Sequence, residues 1–231
     1  MMVYARTTIS MLCTCGLLVV LLSLGAALPG CNIVTPVSYL IDGTGKIDPE
    51  YDLRQVVTVV FVDDRKSAFP RTALRAIVAQ TIAEKVVEEG ALTAQKMVNA
   101  RETIALARNL ESSSNRVTIE KIGLEAGAEQ VIYVELDGFA LTTDGYTPRP
   151  TSVCRVKVLD LSTKARVYPG ASNPNGRQIQ TQIREVSPDS FTSFARRRKV
   201  EDELAYKTGL DVAKLFHAHE RIDLGENLGV R

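Results

Sequence analysis

Three acidic residues lie where predicted strands end, and their oxygen atoms could ligate a metal ion. Asp63 and Asp64 directly follow the apolar run from Val56 to Val62, and Asp137 lies near the end of a later predicted strand. Carboxylate oxygens are hard ligands of the kind that Mg²⁺ prefers. These three acids are therefore candidate metal ligands and would support a metal-dependent enzyme. The alternative is that Asp63 and Asp64 precede a helix and stabilise its N-terminus.

The residues needed for nucleophilic catalysis or for phosphate binding are missing from the sequence. Only two histidines occur, His217 and His219, and no serine lies in the Gly-x-Ser-x-Gly motif of a nucleophile elbow. The segment 43–46, Gly-Thr-Gly-Lys, lacks the upstream glycine of a phosphate-binding loop. We therefore expect no catalytic residue, no cofactor and no enzymatic activity.

A run of basic residues from Arg196 to Lys199 could contact an anionic membrane surface or an acidic partner. Clusters of Lys and Arg next to a membrane bind anionic headgroups. Three acidic residues follow almost directly, at Glu201, Asp202 and Glu203. The alternative prediction is therefore a solvated start of a helix whose charges are balanced locally.

The first thirty residues have the composition of a secretory leader. Arg6 is the only charged residue before Asp42, and the run from Leu17 to Leu22 is entirely apolar. A short positive start, an apolar stretch and small residues before a break form the pattern of a signal peptide. The break is the segment 28–31, Leu-Pro-Gly-Cys, which resembles the lipobox of bacterial lipoproteins.

The lipobox resemblance implies cleavage before Cys31 and acylation of its thiol. Residues 1–30 are then a signal peptide and residues 31–51 a lipid-anchored tether. Several acyl chains on one cysteine hold a protein durably at a membrane, whereas a single chain holds it only marginally. By the sorting rule of these lipoproteins, Asn32 implies release to the outer membrane, facing the periplasm. The alternative is an uncleaved transmembrane helix, because the uncharged stretch 7–30 is long enough to span a bilayer.

The composition excludes several other classes of protein. With 28 Lys and Arg against 27 Asp and Glu, the chain has no basic surplus for nucleic acid. An apolar content of 45% is too high for a disordered tail. Four cysteines are too few for a disulfide scaffold. After cleavage and acylation Cys154 is the remaining thiol, and its strand parity with Val156 and Val158 predicts that it is buried.

The spacing of apolar residues predicts the helices and strands that would position these side chains. We expect strands over Val56–Val62, Ala94–Val98, Gln130–Leu141, Ser152–Leu161, Arg166–Tyr168 and Gln178–Ile183. We expect helices that begin at Pro70, Arg101, Thr118 and Val200 and end near Gly90, Leu110, Gly127 and Phe216. Polar and apolar residues alternate in Gln178–Ile183, which is typical of an edge strand.

The predicted element order is β-α-β-α-α-β-β-β-β-α. Helices alternate with strands in the first half and hairpins follow in the second, which indicates an α/β (α+β) fold. We expect a single mixed β-sheet with helices mainly on one face. The domain is predicted over residues 52–220, with a C-terminal tail at 221–231.

Two segments of the predicted domain resemble a recurring module of the bacterial envelope. They are residues 57–65 (VTVVFVDDR) and residues 122–134 (IGLEAGAEQVIYV). Both are similar to the α/β domains of curli-secretion lipoproteins, of penicillin-binding-protein activators and of the N-terminal part of the Tol translocation protein. The resemblance implies a non-enzymatic fold that docks partners or assembles, and it assigns no catalytic residue.

The sequence therefore predicts a lipid-anchored envelope lipoprotein that acts as a binding or assembly module. Its expected partners are the membrane, through acylated Cys31, and an envelope protein or a second copy of itself, but not nucleic acid. The predicted docking element is the sheet edge Gln178–Ile183 with its nearby loops. The alternatives are a metal-dependent envelope enzyme that uses Asp63, Asp64 and Asp137, and a structural spacer without a specific partner.

Overall fold

The computed structural model describes residues 45–113, 117–142, 147–184 and 186–221. The segment Lys46–Glu220 forms one compact unit. The predicted signal peptide, Cys31 and the tether up to residue 44 lie outside the described residues, as does the tail after Arg221. In the described part of the chain, no helix is long and apolar enough to cross a membrane.

The centre of the compact unit is a five-stranded mixed sheet. Strand β2 (Thr58–Asp63) lies parallel to β3 (Gln130–Thr142), and β3 pairs antiparallel with β4 (Pro148–Asp160). Two shorter strands, β5 (Ala165–Tyr168) and β6 (Arg177–Gln182), pair antiparallel with different parts of β4. Because β3 occupies one side of β4, both short strands lie along the other side. In chain order, β1 (Lys46–Ile47) precedes this sheet and pairs with β7 (His219–Glu220) in a separate ladder.

The α-helices of the described residues pack on both faces of the sheet. They are α1 (Ala73–Glu88), α2 (Ala100–Ser113), α3 (Ile119–Glu125) and α4 (Phe194–Ala213). The two longest helices, α1 and α4, cover one face and pack against each other. The other two cover part of the opposite face beside β2 and β3. The mixed α/β fold is confirmed, and its two longest helices share a face.

The larger core lies between the sheet and the pair α1 and α4. Leu74, Val78, Ile82 and Val86 recur at helical spacing on α1, and each is at most 1% exposed. The sheet contributes alternate residues of each strand, because side chains of a strand point to opposite faces in turn. Cys154 is fully buried among them, as the sequence predicted.

The smaller core fills only part of the other face. Val59 and Phe61 of β2 and Val131 and Tyr133 of β3 pack there against Ile122 of α3. Further along β3 this face carries the charged Glu135 and Asp137, which lie outside the apolar cluster. This face is therefore half packed and half open.

A β-bulge in β3 changes which residues point into the larger core. Leu136 lies opposite Cys154, but Gly138 lies opposite Val153, so Asp137 is an extra residue in the ladder. Even-numbered residues point into the core up to Leu136. Beyond the bulge the odd-numbered Phe139 takes that position, and its ring lies 5.1 Å from the ring of Phe69.

Two predicted helix ends are confirmed by their capping geometry. The Thr118 hydroxyl accepts a hydrogen bond from the backbone nitrogen of Lys121 at 3.3 Å, as expected of an N-cap. Gly90 and Gly127 follow α1 and α3 with φ of 73° and 68°. Glycine adopts this left-handed conformation without steric cost, so these helices end where the sequence predicted.

One predicted strand and two predicted helix starts were wrong. The segment Ala94–Val98 is not a strand, because Ala94–Lys96 forms a 3₁₀ turn and only Met97 makes a bridge, to Thr58 of β2. Helix α1 begins at Ala73 rather than at Pro70. Helix α4 begins at Phe194 rather than near Val200, since Ser193 caps it by accepting from the backbone nitrogen of Arg196. The charged run 196–199 lacks apolar periodicity, so the sequence pattern did not predict a helix there.

Candidate functional site

Strand β6 is an edge strand of the sheet, as its alternating sequence predicted. Within the described residues it pairs only with β4, from Arg177 opposite Val156 to Gln182 opposite Thr151. No charged residue and no proline occurs from Gln178 to Gln182. Lys and Pro are the residues that commonly prevent an edge strand from pairing with another chain. The edge of β6 therefore lacks these protections.

The backbone groups of three glutamines point away from β4. The nitrogen of Ile183 donates to the carbonyl oxygen of Pro150 at 3.0 Å, and this pair continues the register of the two strands. Hydrogen-bonded and non-bonded pairs alternate along an antiparallel ladder. The N–H and C=O groups of Gln178, Gln180 and Gln182 are therefore directed outward, along an edge of about 13 Å at 3.3 Å per residue.

The inner side chains of β6 hold the strand against the body of the unit. Thr181 is 2% exposed, and its hydroxyl donates to Oδ2 of Asp211 on α4 at 2.8 Å. Ile183, just after the strand, is buried in a cluster with Val200 and Leu204 of the same helix. Each side chain that points inward thus has a fixed partner. The outward edge is consequently a preorganised template, which lowers the entropic cost of binding.

An exposed ion pair lies at the beginning of β6. Arg177 binds both carboxylate oxygens of Glu50, the closest contact being 2.7 Å, and the Tyr168 hydroxyl donates to the same carboxylate at 2.8 Å. The hydrogen bond from Arg177 lowers the pKa of Glu50. Burial, and then the hydrogen bond to Glu50, raises the pKa of Tyr168 above its ordinary value. Neither group is thereby prepared for proton transfer near neutral pH.

Beside β6, the open half of the sheet face carries a network of paired charges. Arg155 of β4 donates to Asp137 through Nε and Nη2, both at 2.6 Å, and to Glu135 at 3.1 Å. Lys66 donates to Asp137 at 2.6 Å. The Arg155 guanidinium, with a further contribution from Lys66, holds the pKa of Asp137 below its ordinary value. A partner strand added to β6 would lie at the border of this charged surface.

The three candidate metal ligands each have other partners. Asp63 accepts hydrogen bonds from the Tyr133 hydroxyl at 2.6 Å and pairs with Arg65 at 2.7 Å. Asp64 accepts from the backbone nitrogens of residues 68 and 69, at 2.7 and 3.2 Å, and so shapes the loop that leads to α1. Asp137 belongs to the network around Arg155. Among the described residues no group of three or more His, Cys, Asp or Glu side chains is placed to hold a metal ion.

A groove of about 610 Å³ lies between α1 and the segment 94–101. Its apolar lining includes Ala83, Val87 and Met97, and none of the three candidate metal ligands lines it. Cys154 is also unsuited to act as a nucleophile, because burial raises the pKa of its thiol to about 12. At neutral pH this thiol is protonated and is a poor nucleophile.

The sequence did not reveal how the acids of α4 are used. We expected Glu201, Asp202 and Glu203 to balance the basic run 196–199. Instead, Arg71 binds Glu201 and Asp202, both at 2.6 Å, and Lys207 lies 3.7 Å from Glu203. Arg71 is far away in sequence, so no local pattern pointed to it. Of these ion pairs, only the one between Glu203 and Lys207 could have been predicted from the sequence, because its residues have the i to i+4 spacing of neighbours on a helix.

Comparison with known proteins gives similar folds but no family. No family model matches the chain, and no curated protein matches it. Similar solved structures include the PelC dodecamer from Paraburkholderia phytofirmans, with 14% identity and a TM-score of 0.36 over 75% of this chain and 96% of that one. Lipoprotein GNA1162 from Neisseria meningitidis matches with 13% identity and a TM-score of 0.35, over 63% and 89% of the two chains.

A third similar structure is the C-terminal domain of LpoB from Escherichia coli. It matches with 15% identity and a TM-score of 0.33, over 57% of this chain and 84% of that one. One of these three proteins is itself described as a lipoprotein.

Proposed function

We propose that this chain is a lipid-anchored lipoprotein of the cell envelope that binds an extended segment of a partner along β6. The partner segment would add a sixth strand to the sheet, with its backbone bonded to Gln178, Gln180 and Gln182. The observation that carries this proposal is the outward edge of β6, which is unpaired within the described residues and rigidly supported from behind. Strand addition of this kind uses main-chain hydrogen bonds for affinity and alternate side chains for specificity.

The anchor is supported by the sequence of the first 31 residues. An uncharged apolar stretch ends in Leu-Pro-Gly-Cys, and acylation of Cys31 would tether the unit to the membrane. The residue after the cysteine, Asn32, supports an outer-membrane location facing the periplasm. A retained transmembrane helix would place the unit in the same compartment.

A binding role rather than catalysis is supported by how the acidic groups are used. Asp63, Asp64 and Asp137 are occupied by a tyrosine hydroxyl, backbone nitrogens and cationic side chains. A catalytic acid or base needs a pKa near the working pH and access to substrate. The lowered pKa of Asp137 leaves that group ionised and paired, which suits a structural role.

The test compares two substitutions at one outward position. In Gln180→Pro the backbone N–H that faces the partner is lost, whereas Gln180→Ala keeps it and removes only the side chain. A photo-crosslinking amino acid at Gln182 reports binding in cells, and peptide mapping identifies the crosslinked segment. We expect Gln180→Ala to retain the adduct and Gln180→Pro to reduce it at least about ten-fold, since each lost bond costs about 1 kcal/mol and proline also clashes with the added strand.

Stability measurements separate loss of binding from loss of folding. The Gln180 nitrogen points away from β4, so urea unfolding of both variants should stay within about 1 kcal/mol of the parent chain, because edge strands tolerate proline on the solvent side. A probe at the exposed Tyr206 on α4 serves as the control position. The proposal is wrong if Gln180→Pro leaves the adduct intact, or if the probe at Tyr206 captures the same segment equally well.

A further inference from the structure

The side chains of the first turns of α4 are exposed, although Arg71 donates to the carbonyl oxygen of Arg198 at 3.4 Å. Residues 192–199 are all exposed, and the Phe194 side chain is 71% exposed. We call Phe194 together with the run Arg196–Lys199 the basic tip. A helix that packs on a body normally buries its apolar stripe and exposes the rest. In the basic tip the apolar ring is exposed together with the cations.

Phe194 begins the same helical stripe that is buried further along α4. The stripe continues at alternating steps of four and three residues through 198, 201, 205, 208 and 212, which share one side of a helix. Glu201 is 6% exposed, and Ala205 and Val212 are fully buried. At the tip, the partner of the Phe194 ring is the Arg198 guanidinium, 4.9 Å from the ring centre. The stripe of α4 that is buried at Ala205 and Val212 is therefore exposed at its beginning, where it carries the Phe194 ring.

The cations of the basic tip are not balanced by the acids beside them. Glu201 and Asp202 bind Arg71, and Glu203 lies beside Lys207. Arg196 donates to the carbonyl oxygen of Asp189 and to Thr192. Across the described ranges, no ion pair of at most 4.0 Å involves residues 196–199.

The helix dipole does not stabilise cations at this position. The N-terminus of a helix carries a partial positive charge, so cations in the first turns are disfavoured there. The whole chain is nearly neutral, with a formal net charge of +1 that includes the four cations of the basic tip. The basic tip is therefore a local concentration of positive charge that an external anion can compensate.

We propose that the basic tip binds the surface of a membrane that contains anionic phospholipid. The cations would contact headgroup phosphates while the Phe194 ring enters the boundary between headgroups and acyl chains, as in interfacial helices. Each Lys or Arg near such a surface strengthens binding roughly five-fold. A membrane fits both features of the tip at once, since it offers phosphates and apolar chains side by side.

The proposed anchor makes a membrane the nearest anionic surface. Residues between Cys31 and Lys46 span at most about 50 Å when fully extended, so the tether alone leaves open which side of the unit meets the bilayer. Binding through the basic tip would select one orientation. This inference shares the membrane anchoring of the proposed function but is independent of docking at β6, and it holds whether acyl chains or a retained helix form the anchor.

The absence of tryptophan from the chain allows a direct test. The full chain carrying Phe194→Trp is purified from membranes and reconstituted into vesicles of phosphatidylcholine, with or without phosphatidylglycerol. We expect the tryptophan emission to shift to the blue and to be quenched by lipids brominated high on the acyl chains, but only with phosphatidylglycerol. High salt should reverse the effect, because ions screen charges at the surface.

Matched variants define the cause of the signal. Tyr206→Trp, on the same helix at a side chain that is 47% exposed, should remain unquenched. Arg197→Gln combined with Arg198→Gln, added to Phe194→Trp, should shift the equilibrium of the tip on phosphatidylglycerol vesicles roughly 25-fold toward the unbound state, two factors of five, and so reduce the quenching. All these positions are exposed, so circular dichroism should be unchanged.

Three results would overturn the inference. The first is equal quenching with and without phosphatidylglycerol. The second is a shielding of the tryptophan that increases with the amount of protein per vesicle at constant lipid composition. That result would show that the basic tip binds a second copy of the chain. The third is a tryptophan that stays exposed on anionic vesicles and is shielded only after an acidic periplasmic protein is added.

Discussion

At the scale of single residues, the open sheet face is stabilised by charges that belong to distant segments. Asp137 is the extra residue of the β3 bulge, and it receives Arg155 from β4 and Lys66 from the loop after β2. Three separate pieces of chain therefore meet at one carboxylate. Its side chain is 20% exposed, so the pairing is screened only in part.

The lowered pKa of Asp137 predicts how stability depends on pH. Folding holds its pKa below the ordinary value of 3.8, so the pairing stabilises the fold above that pH and is lost as the pH falls through the lowered pKa. Asp137→Asn should therefore unfold more easily than the parent by about 1 kcal/mol at neutral pH, and the difference should shrink below about pH 4. Urea unfolding at a series of pH values measures this.

A matched control is Asp189→Asn, which neutralises an exposed carboxyl group in the 3₁₀ turn before α4. We expect this variant to follow the parent chain at every pH. If Asp137→Asn showed the same pH profile as the parent, the stabilising role of the Arg155 pair would be refuted.

At the scale of elements, the contact between α1 and α4 supports the edge strand. Gly209 of α4 lies so close to α1 that an added Cβ would be 2.6 Å from Cβ of Thr81 and 3.0 Å from the carbonyl oxygen of Val78. In sequence terms this glycine weakens the helix by roughly 1 kcal/mol. In the structure it permits the close approach of the two helices, and α4 in turn holds Thr181 through Asp211.

Gly209→Ala should therefore destabilise the fold although alanine is the better helix former. An overpacked contact typically costs about 1–3 kcal/mol, which exceeds the gain of roughly 1 kcal/mol in helix propensity. Urea unfolding gives the sign directly. Gly170→Ala is the control, since a Cβ at that loop position would meet nothing within 4 Å. A stabilised Gly209→Ala protein would show that the helices are not closely packed at this point.

At the scale of the whole molecule, the proposed anchor, the proposed docking edge and the basic tip would have separate roles. The edge of β6 and the tip of α4 are different elements, joined by the short segment from residue 183 to the cap at Ser193. A unit held at a bilayer by its tip would present β6 in one orientation, whereas a tether alone allows many. Orientation in advance of binding lowers the entropy lost when a partner docks.

The anchor itself is tested by the intact mass of the membrane-extracted protein. We expect a chain that begins at Cys31, with added mass from acyl chains, in the outer-membrane fraction. Cys31→Ser should block acylation, retain the leader and leave the outer membrane. A parent chain that keeps Met1 and an unmodified Cys31 thiol would contradict the lipoprotein assignment, and its membrane or cytosolic location would then decide between a transmembrane anchor and no anchor.

The candidate site shows where prediction from the sequence reached its limit. The alternation in Gln178–Ile183 was enough to identify an edge strand, because side-chain alternation depends only on neighbouring residues. Which backbone groups face outward depended on the register with β4, which is a contact between segments far apart. For the same reason the sequence did not predict the partner of Glu201, since Arg71 lies far away in sequence, just before α1.

Local sequence by itself determined the five strands of the central sheet, the helix caps at Thr118, Gly90 and Gly127, and the burial of Cys154, because short-range periodicity and backbone conformation control these features. Only the tertiary structure decided that Asp137 forms a bulge, that the acids of α4 neutralise Arg71, and that the basic tip remains unbalanced. The physical reason is that ion pairs and strand ladders form between segments that folding brings together. The distance between two residues in the sequence does not show whether they will meet.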